Sequence, residues 1–183
     1  MNILLATSNK HKLEEIRHIL KVSIEGCSLN VKEDGTTFEE NAVKKAKTVS
    51  KKFKCIAIAD DSGLMVDSLN GAPGVKSARY ASPPTPENLC GKLLNALKDS
   101  KNRKAKFVSV IAIAYPDGKT KTFRGEVKGN IIKEMRGEHG FGYDPVFVPI
   151  GYKKTFAEMK PAFKNKISHR HEALIKLKGK CWR

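Results

Sequence analysis

The chain has 183 residues, with 35 Lys and Arg against 19 Asp and Glu, a formal net charge of +16. That length carries a substantial core, and no stretch approaches the roughly 20 apolar residues that a helical membrane span needs. The positive surplus favours a polyanionic partner (a nucleotide, a nucleic acid or an anionic membrane) without choosing among them. Cys27, Cys55, Cys90 and Cys181 form no C-x-x-C pair, so a structural zinc site is not indicated and reduced thiols are expected. Met1–Ala6 is too short for a signal peptide and has no basic leader, so a soluble, cytoplasmic protein is expected. Internal repeats and low-complexity segments are absent, and the whole chain, residues 1–183, reads as a single domain.

Asn2–Ala6 reads as a buried strand. Thr7-Ser8-Asn9-Lys10-His11-Lys12 follows, and Leu13, Ile16 and Leu20 then fall at helical spacing. Ser8 or Asn9 can cap that helix. A strand, a polar loop and a helix N-terminus together suit an anion, since backbone N–H groups and the helix dipole point at the loop. No Walker or dinucleotide glycine pattern is present. Val22–Val31 is expected as a second strand, and Asp34-Gly35-Thr36 as a turn. Thr37 and Glu40 have capping-box spacing before a helix with Ala42, Ala46, Val49 and Phe53 on one face. Its many lysines read mostly as a solvated face. Glu40 can serve the cap alone, or join Asp61 on a metal.

Cys55–Ala59 reads as a buried strand that ends in Asp60-Asp61-Ser62-Gly63. A strand core excludes charge, so the two carboxylates are expected at its C-terminal end, at the mouth of a crevice. Adjacent carboxylates repel and need partners, one of which Mg²⁺ can supply. A short strand over Met65–Leu69, a Gly71–Gly74 loop and a helix capped by Thr85 with Pro86 at its first position follow. Phe107–Tyr115 and Lys119–Ile132 read as a hairpin turned at Pro116-Asp117-Gly118. The loop Phe141-Gly142-Tyr143-Asp144 puts two aromatics and a carboxylate around a glycine, where a flat ligand can approach the backbone. Val146–Pro149 is expected as a last strand and Thr155–Glu158 as a helix start. Lys164–His171 is expected to begin one final helix through Leu177. His169 and His171, two apart, face different sides of a helix and do not suggest a metal pair.

Taken in this order, several stretches resemble the inosine triphosphate pyrophosphatase family, the non-standard purine nucleoside triphosphate pyrophosphatases. They are Thr7–Lys12, Thr37–Ala42 with Lys45-Ala46, Ala59–Leu64, Gly71–Gly74 with Ser77–Tyr80, Phe141–Pro145, and Lys164-Asn165 with Ser168–Arg170. The resemblance runs from about residue 2 to about residue 177. It implies an α/β fold with an elongated mixed β-sheet flanked by helices, and two lobes with a deep active-site groove between them. It also implies a homodimer, with neither membrane nor specific nucleic acid as partner. The implied reaction hydrolyses ITP, dITP or XTP to the monophosphate and pyrophosphate with Mg²⁺, removing deaminated purines from the nucleotide pool. A related nucleotide pyrophosphatase with another base preference is the alternative.

By the resemblance, Asp61 is the catalytic base and, with Glu40, the metal ligand. The substrate-binding set is Thr7, Ser8, Asn9, Lys10, His11, Lys12, Lys45, Ser62, Phe141, Gly142, Tyr143, Asp144, Lys164, His169 and Arg170. Stacking on Phe141 holds any purine. Choice of a 6-oxo base needs polar groups that the 6-amino of adenine leaves unpaired. A nucleic-acid-binding role through the lysine-rich helix is the competing class, but no RNA-binding signature accompanies it.

Overall fold

The structure, a computed structural model, describes residues 3–181. Strands and helices alternate as far as β4, and the described residues form six strands and five α-helices: β1 (Ile3–Ala6), α1 (Lys10–Leu20), β2 (Glu25–Cys27), α2 (Phe38–Phe53), β3 (Ile56–Val66), α3 (Pro86–Ala96), β4 (Lys104–Ala114), β5 (Thr120–Ile131), β6 (Phe147–Pro149), α4 (Pro161–Ile167) and α5 (His169–Cys181). The strands form one sheet in the order β2-β1-β3-β4-β5-β6. β1 runs parallel to β2 and β3, and β6 antiparallel to β5, so the sheet is mixed and the fold α/β, as expected. Asn2, expected in the first strand, lies outside the described residues. No described helix is long and apolar enough to cross a membrane.

The chain divides into two compact units. The first takes the residues up to Ser62, Ser109–Gly125 and those from His169; the second takes Gly63–Val108 and Glu126–Ser168. In the first, strand alternation sorts the side chains. Ile3 and Leu5 of β1 stand opposite Ile56 and Ile58 of β3. Leu5, Ile58 and Ile111 share a buried cluster with Ile16 and Leu20 of α1 and Leu174 and Leu177 of α5. α2 packs on β1 and buries the small residues Ala42 and Ala46 with Val49. The second unit has its own core, in which Leu89, Leu93 and Leu97 meet Phe107, Phe147 and Phe156. The rings of Phe107 and Phe147 pack edge to face, 4.7 Å apart.

Five expectations need correction. The second strand shrinks to Glu25–Cys27, because its parallel partner β1 has four residues and leaves room for three ladder positions. Phe53, last in α2, misses the core at 46% exposure. Thr155 and Glu158 do form a capping box, but over one 3₁₀ turn. The expected final helix is two, since Ser168 is extended and separates α4 from α5. Most important, β3 does not stop at the acidic pair. It runs through Asp60, Asp61, Ser62 and Gly63 to Val66, taking in the first two residues of the expected short strand Met65–Leu69, whose last three form a 3₁₀ turn.

Candidate active site

A strand that keeps going through two aspartates must send their side chains to opposite faces. Asp60 joins Ile56 and Ile58 on the face covered by α1 and α5. Asp61 turns to the face covered by α2. Both are buried, at 1% and 5% exposure, yet neither needs the other's space, and each meets its own cations.

Asp60 is the better enclosed. Its Oδ2 receives the Lys12 Nζ at 2.7 Å, the Ser62 hydroxyl at 3.0 Å and Arg170 Nη2 at 3.2 Å. Its Oδ1 receives the Ser109 hydroxyl at 2.6 Å. Burial alone would raise its pKa. The Arg170 and Lys12 charges, with the hydrogen bonds from Lys12 and Ser109, outweigh burial and hold it well below the usual carboxylate range. Arg170 is fully buried and also bridges to Glu15 of α1, and it donates to the Ser62 hydroxyl at 3.0 Å. Burial works against the guanidinium charge, but Asp60 and Glu15 push its pKa further up.

Lys12 reaches this carboxylate because the β1–α1 loop is tightly set. Asn9 caps α1, its Oδ1 accepting the Lys12 backbone N–H at 3.2 Å, and the Asn9 N–H donates to Thr7 Oγ1 at 3.1 Å. Ser8 of the same loop, and Lys10 and His11 in the first turn of α1, are exposed.

On the other face, Lys45 Nζ is ringed by three oxygens: Asp61 Oδ1 at 3.0 Å, Glu33 Oε1 at 2.9 Å and the Asp60 carbonyl at 2.9 Å. The Asn41 amide donates to Asp61 Oδ2 at 3.3 Å while its Oδ1 accepts the Gly35 N–H. Burial opposes the Lys45 charge, but Asp61 and Glu33 hold its pKa above the ordinary lysine value. Burial pushes Asp61 up, against the pull of Lys45 and Lys12.

Glu40, expected on the metal, is otherwise engaged. Its Oε2 accepts the backbone N–H groups of Thr36 and Thr37, at 2.7 and 3.2 Å, and the Thr36 hydroxyl. Those bonds lower its pKa, as for an exposed capping carboxylate. Glu33 shares the Lys45 ammonium with Asp61 instead. Sequence reasoning missed Glu33 because nothing in local spacing distinguishes a glutamate two residues ahead of a Gly turn. It missed Glu15 and Ser109 for a similar reason, although Ser109 is the one polar side chain in the apolar run 107–114.

In the second unit, Asp144 is buried, and its Oδ2 accepts Lys164 Nζ at 2.6 Å and the Phe141 backbone N–H at 2.9 Å. The ammonium also stands 4.9 Å from the Phe141 ring centroid. Tyr143 is buried, and its hydroxyl donates to the Ser77 carbonyl at 2.9 Å. Burial raises the pKa of this phenol, and pushes that of the Cys90 thiol, which donates to the Gly142 carbonyl, up to about 12. Gly140 makes the turn possible: its φ is +79°, and a Cβ there would come within 2.0 Å of Asp144 Oδ2. Thus Phe141, Gly142, Tyr143, Asp144 and Lys164 form one cluster. His169 and Arg170 begin α5 in the first unit, where Arg170 belongs to the Asp60 network.

Among the described residues no three His, Cys, Asp or Glu side chains gather as a ready metal cage. The donor set still suits a hard cation, because three oxygens already surround the Lys45 ammonium. Mg²⁺ characteristically takes one or two carboxylates and fills its remaining positions with water and substrate phosphates.

Fold and site define an α/β protein with a preorganised acidic centre, in which neighbouring strand positions hold one carboxylate of lowered and one of raised pKa. The model of the Ham1 family matches residues 3–180. The dITP/XTP pyrophosphatase of Oceanobacillus iheyensis is 44% identical, covering 96% of this chain and 95% of that protein. The enzyme of the same name from Desulfotalea psychrophila is 47% identical over 98% and 84%. The Ham1 protein structure from Staphylococcus aureus superposes with a TM-score of 0.89 at 40% identity, covering 98% of this chain and 97% of that one. The chain belongs to the Ham1 family.

Proposed function

We propose that this protein is a nucleoside triphosphate pyrophosphatase that hydrolyses ITP, dITP and XTP to the monophosphate and pyrophosphate. The relatives' names supply the substrate class. The observation that carries the chemistry is the divided pair on β3: Asp60 anchors cations, and Asp61 is buried with an elevated pKa. On this reading Ser62 and the stretch Thr7–Lys12, which spans the β1–α1 loop and the first turn of α1, receive the phosphates. Asp61 takes a proton from a water whose oxygen attacks the α-phosphorus. The bond from that phosphorus to its bridging oxygen breaks, and pyrophosphate leaves with the electron pair. A base works best when its pKa approaches the working pH, so burial of Asp61 acts in the right direction. Lysine charge near the leaving group offsets the negative charge that develops there.

Mg²⁺ is the proposed cofactor, held by Asp61 with Glu33 as the second carboxylate in place of Glu40, whose Oε2 serves the helix cap. When bound, the ion polarises phosphoryl oxygens and neutralises the leaving pyrophosphate. Lys45, with its three donors engaged on Asp61, Glu33 and the Asp60 carbonyl, moderates the charge of this group before a divalent ion arrives.

Phe141, Gly142, Tyr143, Asp144 and Lys164 are proposed to recognise the base: the ring stacks, and Asp144 and Lys164 supply a fixed acceptor and donor. His169 and Arg170 complete the substrate set. The same reading places the protein in the cytoplasm, with the nucleotide pool, and makes it a homodimer. The exposed Ile150, Tyr152 and Phe163, at 65%, 41% and 45% exposure with the last two rings in contact, support a partner surface; light scattering at micromolar concentration tests it. The reaction is tested by incubating the protein with ITP, XTP, dITP, ATP, GTP and pyrimidine triphosphates plus Mg²⁺ and detecting pyrophosphate. Preferential turnover of ITP and XTP is expected. Release of orthophosphate, or turnover that ignores the base, overturns the proposal.

A further inference from the structure

The Asp60 carboxylate is held at both ends, and the two ends differ. Oδ2 gathers Lys12, Ser62 and Arg170, the side chains that the proposed function assigns to substrate. Oδ1 has one hydrogen-bond donor among the described residues, the Ser109 hydroxyl at 2.6 Å, a length typical of a hydroxyl on an ionised carboxylate. An aspartate's terminal torsion is broad and has little preference of its own. Without a bond on Oδ1, the carboxylate can rotate and carry Oδ2 away from the direction in which it meets Lys12 and Ser62.

Ser109 is well made for this task. It is fully buried in β4, and strand alternation puts it on the same face as Ile111 and Ile113, which share a cluster with Ile58 of the Asp60 face. Its neighbours in the run 107–114 are all apolar, so packing alone does not call for a hydroxyl.

We propose that Ser109 is a positioning residue for substrate binding, fixing the rotation of the Asp60 carboxylate so that Lys12 and Ser62 are presented to the triphosphate in one orientation. The inference rests on the proposed pyrophosphatase reading. Loss of one hydrogen bond to a charged group sets the scale. Lys12 and Ser62 would contact phosphate both before and during reaction, so the loss falls mainly on KM.

The test compares wild type, Ser109→Ala and Ser109→Cys by steady-state pyrophosphate release from ITP with Mg²⁺, alongside thermal melting. Expected for Ser109→Ala is a KM about tenfold higher with kcat within about threefold of wild type and a melting temperature within a few degrees. Ser109→Cys, a weaker donor of similar shape, falls between the two. KM and kcat of Ser109→Ala both within twofold of wild type overturn the inference. So does a folded Ser109→Cys as impaired as Ser109→Ala, which would mean packing rather than donation. If Ser109→Ala does not fold, Ser109→Cys decides: a raised KM at unchanged melting temperature supports the role, and a wild-type KM refutes it. Wild type that fails to turn over ITP overturns the proposed function itself, an outcome distinct from any of these.

Discussion

Replacing Asp60 by Asn keeps the shape of the side chain and removes its charge. Four groups feel the loss. Arg170, fully buried, keeps Glu15 as a partner; Lys12, whose side chain is 16% exposed, can turn toward water; the Ser62 hydroxyl keeps the Arg170 guanidinium; Ser109 keeps an acceptor. Breaking a buried ion pair by removing one partner costs about 3–5 kcal/mol, and the surviving partners place this case near ~3 kcal/mol. For a chain of this length that corresponds to a melting temperature lower by roughly 6–12 °C at pH 7. The pH dependence is more diagnostic than the size. Asp60 titrates well below its ordinary value of 3.8. A depressed folded-state pKa gives stability that is fully present above the unfolded value and is lost as pH falls through the folded one. Wild type and Asp60→Asn should therefore differ by a constant amount from pH 8 down to about 5, and the gap should begin to narrow only below about 4, closing as pH falls through the lowered folded-state pKa. Circular dichroism melts of both proteins at several pH values from 2.5 to 8 measure the gap. A gap under about 1 kcal/mol at pH 7, or one that does not shrink in acid, refutes the view that Arg170 and Lys12 keep this carboxylate charged.

Three further outcomes follow from the same geometry. Glu33→Gln should lower pyrophosphate release by more than about tenfold and weaken Mn²⁺ binding followed by electron paramagnetic resonance, whereas Glu40→Gln should lower the melting temperature slightly and leave kcat/KM within threefold; the reverse pattern restores Glu40 to the metal. Lys164→Met should cost about 3 kcal/mol, since it takes the ammonium away from the buried Asp144 carboxylate; urea titration reads this, and ITP turnover should suffer more than in proportion. Gly140→Ala should cost more than ~1 kcal/mol, because it forces a Cβ onto Asp144 Oδ2 at a backbone φ of +79°; a melting temperature equal to wild type would show that the loop relaxes freely.

Local chemistry made much of this architecture legible. Asn9, Thr37 and Thr85 cap their helices as their spacing suggests, and the apolar run 107–114 is the strand it reads as. The acidic pair was placed wrongly because the rule that strands exclude charge holds only for charges without partners. Lys12, Lys45 and Arg170 lie 48, 16 and 110 residues from the carboxylates they meet, and no local window contains them. Glu40 is the opposite case. Its capping-box spacing was legible, and the three donors of that cap gather on its Oε2. Glu33 is legible only once α2 has folded and brought Lys45 between it and Asp61.

The course of β3 also explains how two adjacent aspartates do different work. In a turn, both carboxylates would share solvent and one another's field, and their titrations would be coupled. In a strand they part to opposite faces. One meets Lys12 and Arg170 and stays ionised; the other meets a single buried lysine that it shares with Glu33, and burial raises its pKa. Separating the pKa values of two carboxylates by environment is how an acid–base division of labour is set up. Here the separation needs no special loop, only the two-residue period of the sheet. A residue inserted between Asp60 and Asp61 would put both carboxylates on one face and take Asp61 away from Lys45. Such a protein should fold less stably and lose turnover, even with every functional side chain still present. Full activity in that insertion variant would show that the alternation does not matter.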